Sequence, residues 1–147
     1  MLIGGVIMES KILVNVGVQR FDRIREQNAL YIDKTDFIRE WWDNGTDVML
    51  ITRPRRFGKT LNMSMLECFF SCRYAGRGEL FEGLSIWSEE RYRQLQGTFP
   101  VIFLSFANIK ATKYEDMEYK ISKVIAELYE QNNYLLEGNL LSKKERE

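Results

Sequence analysis

Between an apolar run, DVMLIT at residues 47–52, and an apolar-striped segment opening at Lys59 lies Arg53-Pro54-Arg55-Arg56-Phe57-Gly58-Lys59-Thr60. These residue types at this spacing suit the grip of a polyphosphate. In the pattern G-x-x-x-x-G-K-[ST], a variant Walker A loop, backbone N–H groups cradle phosphates; here Arg53 stands at the first glycine position while Gly58, Lys59 and Thr60 match. Gly58 lets backbone approach an anion where a Cβ would crowd it or forbid the backbone angles. The N–H groups of Arg56, Phe57, Gly58, Lys59 and Thr60 would converge on a β-phosphate at a helix N-terminus, where unpaired donors and the helix dipole favour negative charge. Lys59 would bridge the β- and γ-phosphates, and the Thr60 hydroxyl would ligate Mg²⁺ carried with the nucleotide. Pro54 has no N–H to contribute but stiffens the loop entry. ATP and Mg²⁺ are therefore the expected ligands, with the base unspecified because such a loop reads phosphates alone.

Other readings of the same residues stay open. The cations Arg53, Arg55, Arg56 and Lys59 could form an exposed basic turn, or a nucleic-acid patch. Against nucleic acid as a partner, 21 Lys and Arg balance 21 Asp and Glu, so there is no net field to attract one. The chain has no histidine, which removes His-based triads, His general bases and His-ligated metals together. Cys68 and Cys72 stand four apart on one helical face, but without further ligands they read as core residues, and two cysteines make no disulfide framework. Adjacent Trp41 and Trp42 could stack on a base; in an amphipathic helix they read first as one core contact and one covered edge.

The elements that must position this loop follow from periodicity and stop signals. Residues 34–44 predict a helix, with Phe37, Ile38, Trp41 and Trp42 at helical spacing and Gly45 as the stop. A second helix is expected over residues 59–72, with Leu61, Met65, Cys68 and Cys72 on one stripe. A glycine-bearing excursion follows over 73–85, then a polar helix over 89–96 with Gly97 as its stop. Residues 114–132 predict a long amphipathic helix through Tyr114, Met117, Ile121, Val124, Ile125 and Leu128. Three apolar runs, 12–18, 47–52 and 99–106, read as strands, the last (FPVIFLSF) most strongly. Strands alternating with helices imply crossovers and hence an α/β fold, an incomplete three-layer arrangement of the P-loop NTPase type around a small, mostly parallel sheet.

Hydrolysis on such a fold needs an apolar strand ending in Asp or Asp-Glu, the Walker B element, and FPVIFLSF ends without a carboxylate. The residues therefore imply binding rather than turnover. At this point VGVQRFDRIREQNALYIDKTDFI, LITRPRRFGKTLNMSMLECFF and FPVIFLSFANIK together resemble the bacterial AAA-ATPase-like family, whose members often carry a PD-(D/E)XK nuclease-like domain further along. Within that family an Arg at the first glycine position is usual, and the resemblance carries the phosphate and Mg²⁺ roles onto Gly58, Lys59 and Thr60. It also covers Tyr31-Ile32-Asp33-Lys34-Thr35, a family signature with no task evident from the sequence.

By this resemblance residues 1–13 are an extension, 14–134 the front part of the ATPase domain and 135–147 a polar tail where the chain stops early, as a truncated product would. An alternative from another class is an interaction module that pairs through an open sheet edge with itself or a full-length relative. No stretch reaches the roughly 18 to 20 apolar residues that span a bilayer. The apolar opening lacks the basic leader and cleavage site of a signal peptide, so a cytoplasmic setting without membrane contact is expected.

Overall fold

The computed structural model describes residues 17–45, 47–52, 54, 56–107 and 109–137. The chain divides into two units, Met1–Val101 and Ile102–Glu147. In the first, α1 (Phe21–Glu26), α2 (Asp36–Asn44) and α3 (Lys59–Phe70) precede three short 3-10 segments, Cys72–Tyr74, Gly78–Phe81 and Ser85–Ser88, and the one-turn helix α4 (Glu90–Arg93). The helix expected over 34–44 is present as α2, and Gly45 ends it in the left-handed region at φ 58° with its N–H donating to Trp42 O at 3.2 Å. α3 begins where the sequence places it, at Lys59. Its second half is buried through Met65, Glu67, Cys68, Phe69 and Phe70.

The core of this unit is aromatic. Phe21 stacks on Phe81 with centroids 5.1 Å apart, and the edge of Tyr31 meets Phe21 at 5.2 Å. Phe69 meets Phe81 edge-on at 5.1 Å, while Trp41 packs edge-on against Phe70 at 5.2 Å. Trp42 stacks on Phe70 at 5.6 Å and remains 40% exposed, so the tryptophan pair makes core contacts and leaves one edge outside. Offset and edge-on pairs of this kind add about 0.5–1.5 kcal/mol each beyond the area they bury. Tyr92 is fully buried; its hydroxyl donates to Asp43 Oδ2 at 2.7 Å, and the guanidinium of Arg91 lies 4.4 Å from its ring centroid. Cys68 is also fully buried, and burial, reinforced by the Asp22 charge, pushes its thiol up to about 12.

In the second unit α5 (Tyr114–Gln131) matches the long helix expected over 114–132, and α6 (Tyr134–Glu137) follows a turn. The Asn132 side-chain amide donates to Leu128 O at 2.8 Å and closes the last turn of α5. α5 buries none of its side chains; Met117 and Ile125 on its apolar stripe stay half exposed.

The fold class expected from the sequence does not hold. Among the described residues there is no strand and no sheet, so the three-layer α/β arrangement with a parallel sheet is overturned, and the open sheet edge loses its basis with it. Residues 47–52 run without a ladder partner, and Val48 and Leu50 are 82% and 83% exposed. Of residues 99–106, Phe99 alone forms a bridge, parallel with Ser71, through Phe99 N–H to Phe70 O at 2.9 Å and Cys72 N–H to Phe99 O at 2.7 Å. Beyond it Ile102, Leu104 and Phe106 are exposed. The physical reason is that apolar composition makes a run suitable for a strand but supplies no lateral partner, and a strand exists only by hydrogen bonding to another. Of the run expected at 12–18, residues 12–16 lie outside the described residues, as does the extension at 1–13.

Gly97 fixes how the segment after α4 returns to α3. Its φ is 71°, its N–H donates to Phe69 O at 2.8 Å, and a Cβ there would come within 2.5 Å of Ala75 Cα. Gly83 has a similar φ of 76° but open space around it. Gly97→Ala should therefore cost about 2–4 kcal/mol, left-handed strain plus overpacking, and Gly83→Ala about 1 kcal/mol, strain alone. Urea denaturation of the two variants checks the ordering.

Candidate functional site

The loop ahead of α3 is built from two left-handed residues. Arg56 has φ 69° and Gly58, the N-cap of α3, has φ 73° and ψ 17°. Left-handed backbone costs a residue with a Cβ about 1–2 kcal/mol, so Arg56 holds a conformation that the surrounding turn must enforce. At Gly58 no described residue lies within 4 Å of where a Cβ would stand, while its φ of 73° calls for the backbone freedom of a glycine.

Among the described residues no side chain caps the N-terminus of α3, and its first turn carries no acidic residue. Ordinary helices answer this end with Ser, Thr, Asp or Asn accepting from the N–H groups, or with a nearby carboxylate. Lys59 folds back over the loop instead, its Nζ donating to Pro54 O at 3.1 Å. Thr60 stands half-buried in the first turn, and Arg56 and Phe57 are exposed, Phe57 by 58%. Arg56, Phe57, Gly58, Lys59 and Thr60 thus form one continuous turn into a helix; Arg53 and Arg55 lie outside the described residues. Among the described residues no group of three His, Cys, Asp or Glu side chains is placed to hold a metal ion. Thr60 would be this turn's ligand to a cation that arrives on a phosphate chain.

What holds α3 in place was not foreseen. Phe21 N–H donates to the buried Ser64 Oγ at 3.1 Å, and Arg20 Nη1 donates to Glu67 Oε2 at 2.9 Å. Arg20 also grips Asp22 with two bonds, Nε to Oδ1 at 3.2 Å and Nη2 to Oδ2 at 3.0 Å, and donates to the Tyr74 hydroxyl. Tyr74 OH in turn donates to Asp22 Oδ2 at 2.9 Å. Burial works against the Asp22 charge, but the Arg20 and Tyr74 bonds outweigh it and hold the carboxyl below its usual range. The signal in the sequence is Glu67 itself: an acid inside the apolar MLECFF stretch has to find a cation.

The family described as Predicted AAA-ATPase matches residues 15–145 of this chain. The chain belongs to the AAA-ATPase-like family. It is 35% identical over 114 residues to "Uncharacterized protein in vnfD 5'region" of Azotobacter chroococcum mcd 1, a stretch that covers 75% of this chain and 20% of that protein. The chain therefore spans about a fifth of the length of this curated relative. No solved structure matches it. Among the described residues, no helix of this AAA-ATPase-like chain is long and apolar enough to cross a membrane.

The structure gives the Tyr31-to-Thr35 signature a task. Asp33 Oδ1 accepts from Thr35 N–H at 2.8 Å and from Thr35 Oγ1 at 2.7 Å, a local turn that sets the start of α2. Asp33 Oδ2 accepts from Ser85 N–H at 2.7 Å, and Thr35 Oγ1, fully buried, accepts from Ile86 N–H at 3.1 Å. Tyr31 OH donates to Met65 Sδ at 3.2 Å. The signature thus pins the start of the Ser85–Ser88 segment to α2 and touches the middle of α3. Burial opposes the Asp33 charge, yet the Ser85 and Thr35 donors prevail and hold its carboxyl below the usual carboxylate range.

Thr35→Val keeps the shape but orphans the buried Ile86 N–H, so it should cost about 1–3 kcal/mol in urea denaturation. A carboxyl whose folded pKa is depressed adds stability that is present above its unfolded pKa and is lost as pH falls through the folded value. Wild-type stability should accordingly drop on acidification below about pH 4, and Asp33→Asn should be less stable near neutrality with a shallower acid decline; thermal melts from pH 7 to 2.5 test the sign.

Proposed function

We propose that this chain binds a nucleoside triphosphate, ATP with Mg²⁺, through the turn formed by Arg56, Phe57, Gly58, Lys59 and Thr60. The observation that carries this reading is the Lys59 amine folded back on the loop, 3.1 Å from Pro54 O, at the start of a helix whose N-terminus no described side chain caps. A cation and a set of N–H donors share one turn, and an incoming phosphate offers both stronger acceptors than a backbone carbonyl. Family membership supports a nucleotide as the source of that phosphate. In this proposal Gly58 supplies the left-handed backbone, Lys59 neutralises the β- and γ-oxygens, and Thr60 offers its hydroxyl to the magnesium ion that the nucleotide carries. The proposal is binding; the residues discussed assign no group to activating water.

Charge-assisted bonds of this kind are worth about 1.5–3 kcal/mol, so Lys59→Ala should weaken Mg·ATP binding about ten- to a hundred-fold, measured by isothermal titration. Thr60→Ala should weaken binding in Mg²⁺ and leave it little changed in EDTA. Equal affinity in Lys59→Ala and wild type would remove the assignment.

A second reading, association with another copy or a longer relative, is favoured by exposed apolar residues in each unit, Val48 and Leu50 in the first and Ile102, Leu104 and Phe106 in the second. Light scattering across a concentration series separates the two. Nucleotide-independent oligomers support association, and a nucleotide-dependent rise in melting temperature supports binding.

A further inference from the structure

Thr60, Ser64 and Glu67 stand at i, i+4 and i+7 of α3 and so share one face of the helix. The last two are held by the start of α1: Ser64 Oγ by the N–H of Phe21, and the Glu67 carboxylate, with its side chain only 6% exposed, by Arg20. Apolar packing of α1 and α3 in one core, with Phe21 on the first and Met65 and Phe69 on the second, would hold the two helices together without this ion pair. Replacing a buried ion pair with well-packed apolar residues is often neutral or stabilising. What a directional pair adds is register, because a guanidinium fork tolerates little sliding or rotation where greasy surfaces tolerate both.

We propose that Arg20 is a positioning residue for the nucleotide site: its bond to Glu67 fixes the register of α3 against α1, and so fixes where the N–H groups of Gly58, Lys59 and Thr60 stand. This rests on the nucleotide reading above. A slip of one residue along a helix moves a group by about 1.5 Å and turns it by about 100°, while a preorganised polar site tolerates roughly 0.5 Å. The lock is one-sided, since it grips α3 beyond its midpoint and leaves the first turn to its ligand. Asp22 keeps donors from Tyr74 OH at 2.9 Å and Arg23 N–H at 2.9 Å when Arg20 is replaced, so the lock can be removed without orphaning that carboxylate.

The test is the double variant Arg20→Met with Glu67→Leu, beside Arg20→Lys, each followed by thermal melting, hydrogen exchange at the amides of residues 62–66 without ligand, and Mg·ATP titration. The double variant is expected to melt within a few degrees of wild type, to exchange these amides several-fold faster and to bind Mg·ATP at least tenfold more weakly. Arg20→Lys, which keeps the charge but not the fork, is expected to fall between. A folded double variant with wild-type exchange and wild-type affinity overturns the proposal, as does an affinity loss that merely tracks lost melting temperature. If the double variant does not fold, Arg20→Lys decides by the same readouts. If wild type binds no Mg·ATP, the nucleotide reading fails, and the exchange rates alone still decide whether Arg20 sets the register.

Discussion

One buried carboxylate organises the first unit. Glu67 lies on α3 among Met65, Cys68 and Phe69, all fully buried, where an unpaired negative charge could not persist. Its partner Arg20 sits at the N-cap of α1, so the pair joins the two helices at a defined height while apolar contact holds them together. The aromatic cluster then fills the space that this arrangement leaves. Phe21, which follows Arg20 directly, stacks on Phe81, and Phe69, two residues after Glu67, meets Phe81 from the side. α3 thereby has two different ends: a closed, packed C-terminal half and an open N-terminal turn.

In the binding proposed for the turn at Arg56 to Thr60, that asymmetry leaves the turn open to receive a phosphate. A helix end that meets its own needs with a capping side chain has nothing left for a ligand. Here Arg56 holds a left-handed backbone at a steric cost, Gly58 adopts one freely, and the Lys59 amine donates to Pro54 O. Behind this turn, α3 is bonded to the start of α1 through Ser64 and Glu67.

Much of the helical structure was legible because its determinants are local. Gly45 closes α2 by adopting a positive φ that other residues avoid, and the stripes of α3 and α5 repeat at the helical period. The sheet was misjudged because its determinant is not local: DVMLIT and FPVIFLSF have strand composition, yet pairing depends on what lies beside them, and the structure gives only Phe99 a neighbour, Ser71. For the site, the Gly58-Lys59-Thr60 spacing located the turn. It could not show where the Lys59 amine rests, since that depends on a torsion chain of four bonds. Arg20 and Glu67 are 47 residues apart, and nothing in spacing joins them; an acid in an apolar stripe announces only that some cation must come. Neither the Asp33-x-Thr35 turn nor its hold on Ser85 and Ile86 was read from the sequence, where the segment stood only as a signature without a task.

Cys68 carries a consequence of another kind. Its side chain is enclosed and burial pushes its thiol well above the usual range, so the sulfur is both protonated at neutral pH and out of reach. Alkylation at this position must wait for the helix pair to part. The sulfur is thus a native clock for breathing of the interior, whose labelling rate counts openings without any probe having been engineered in.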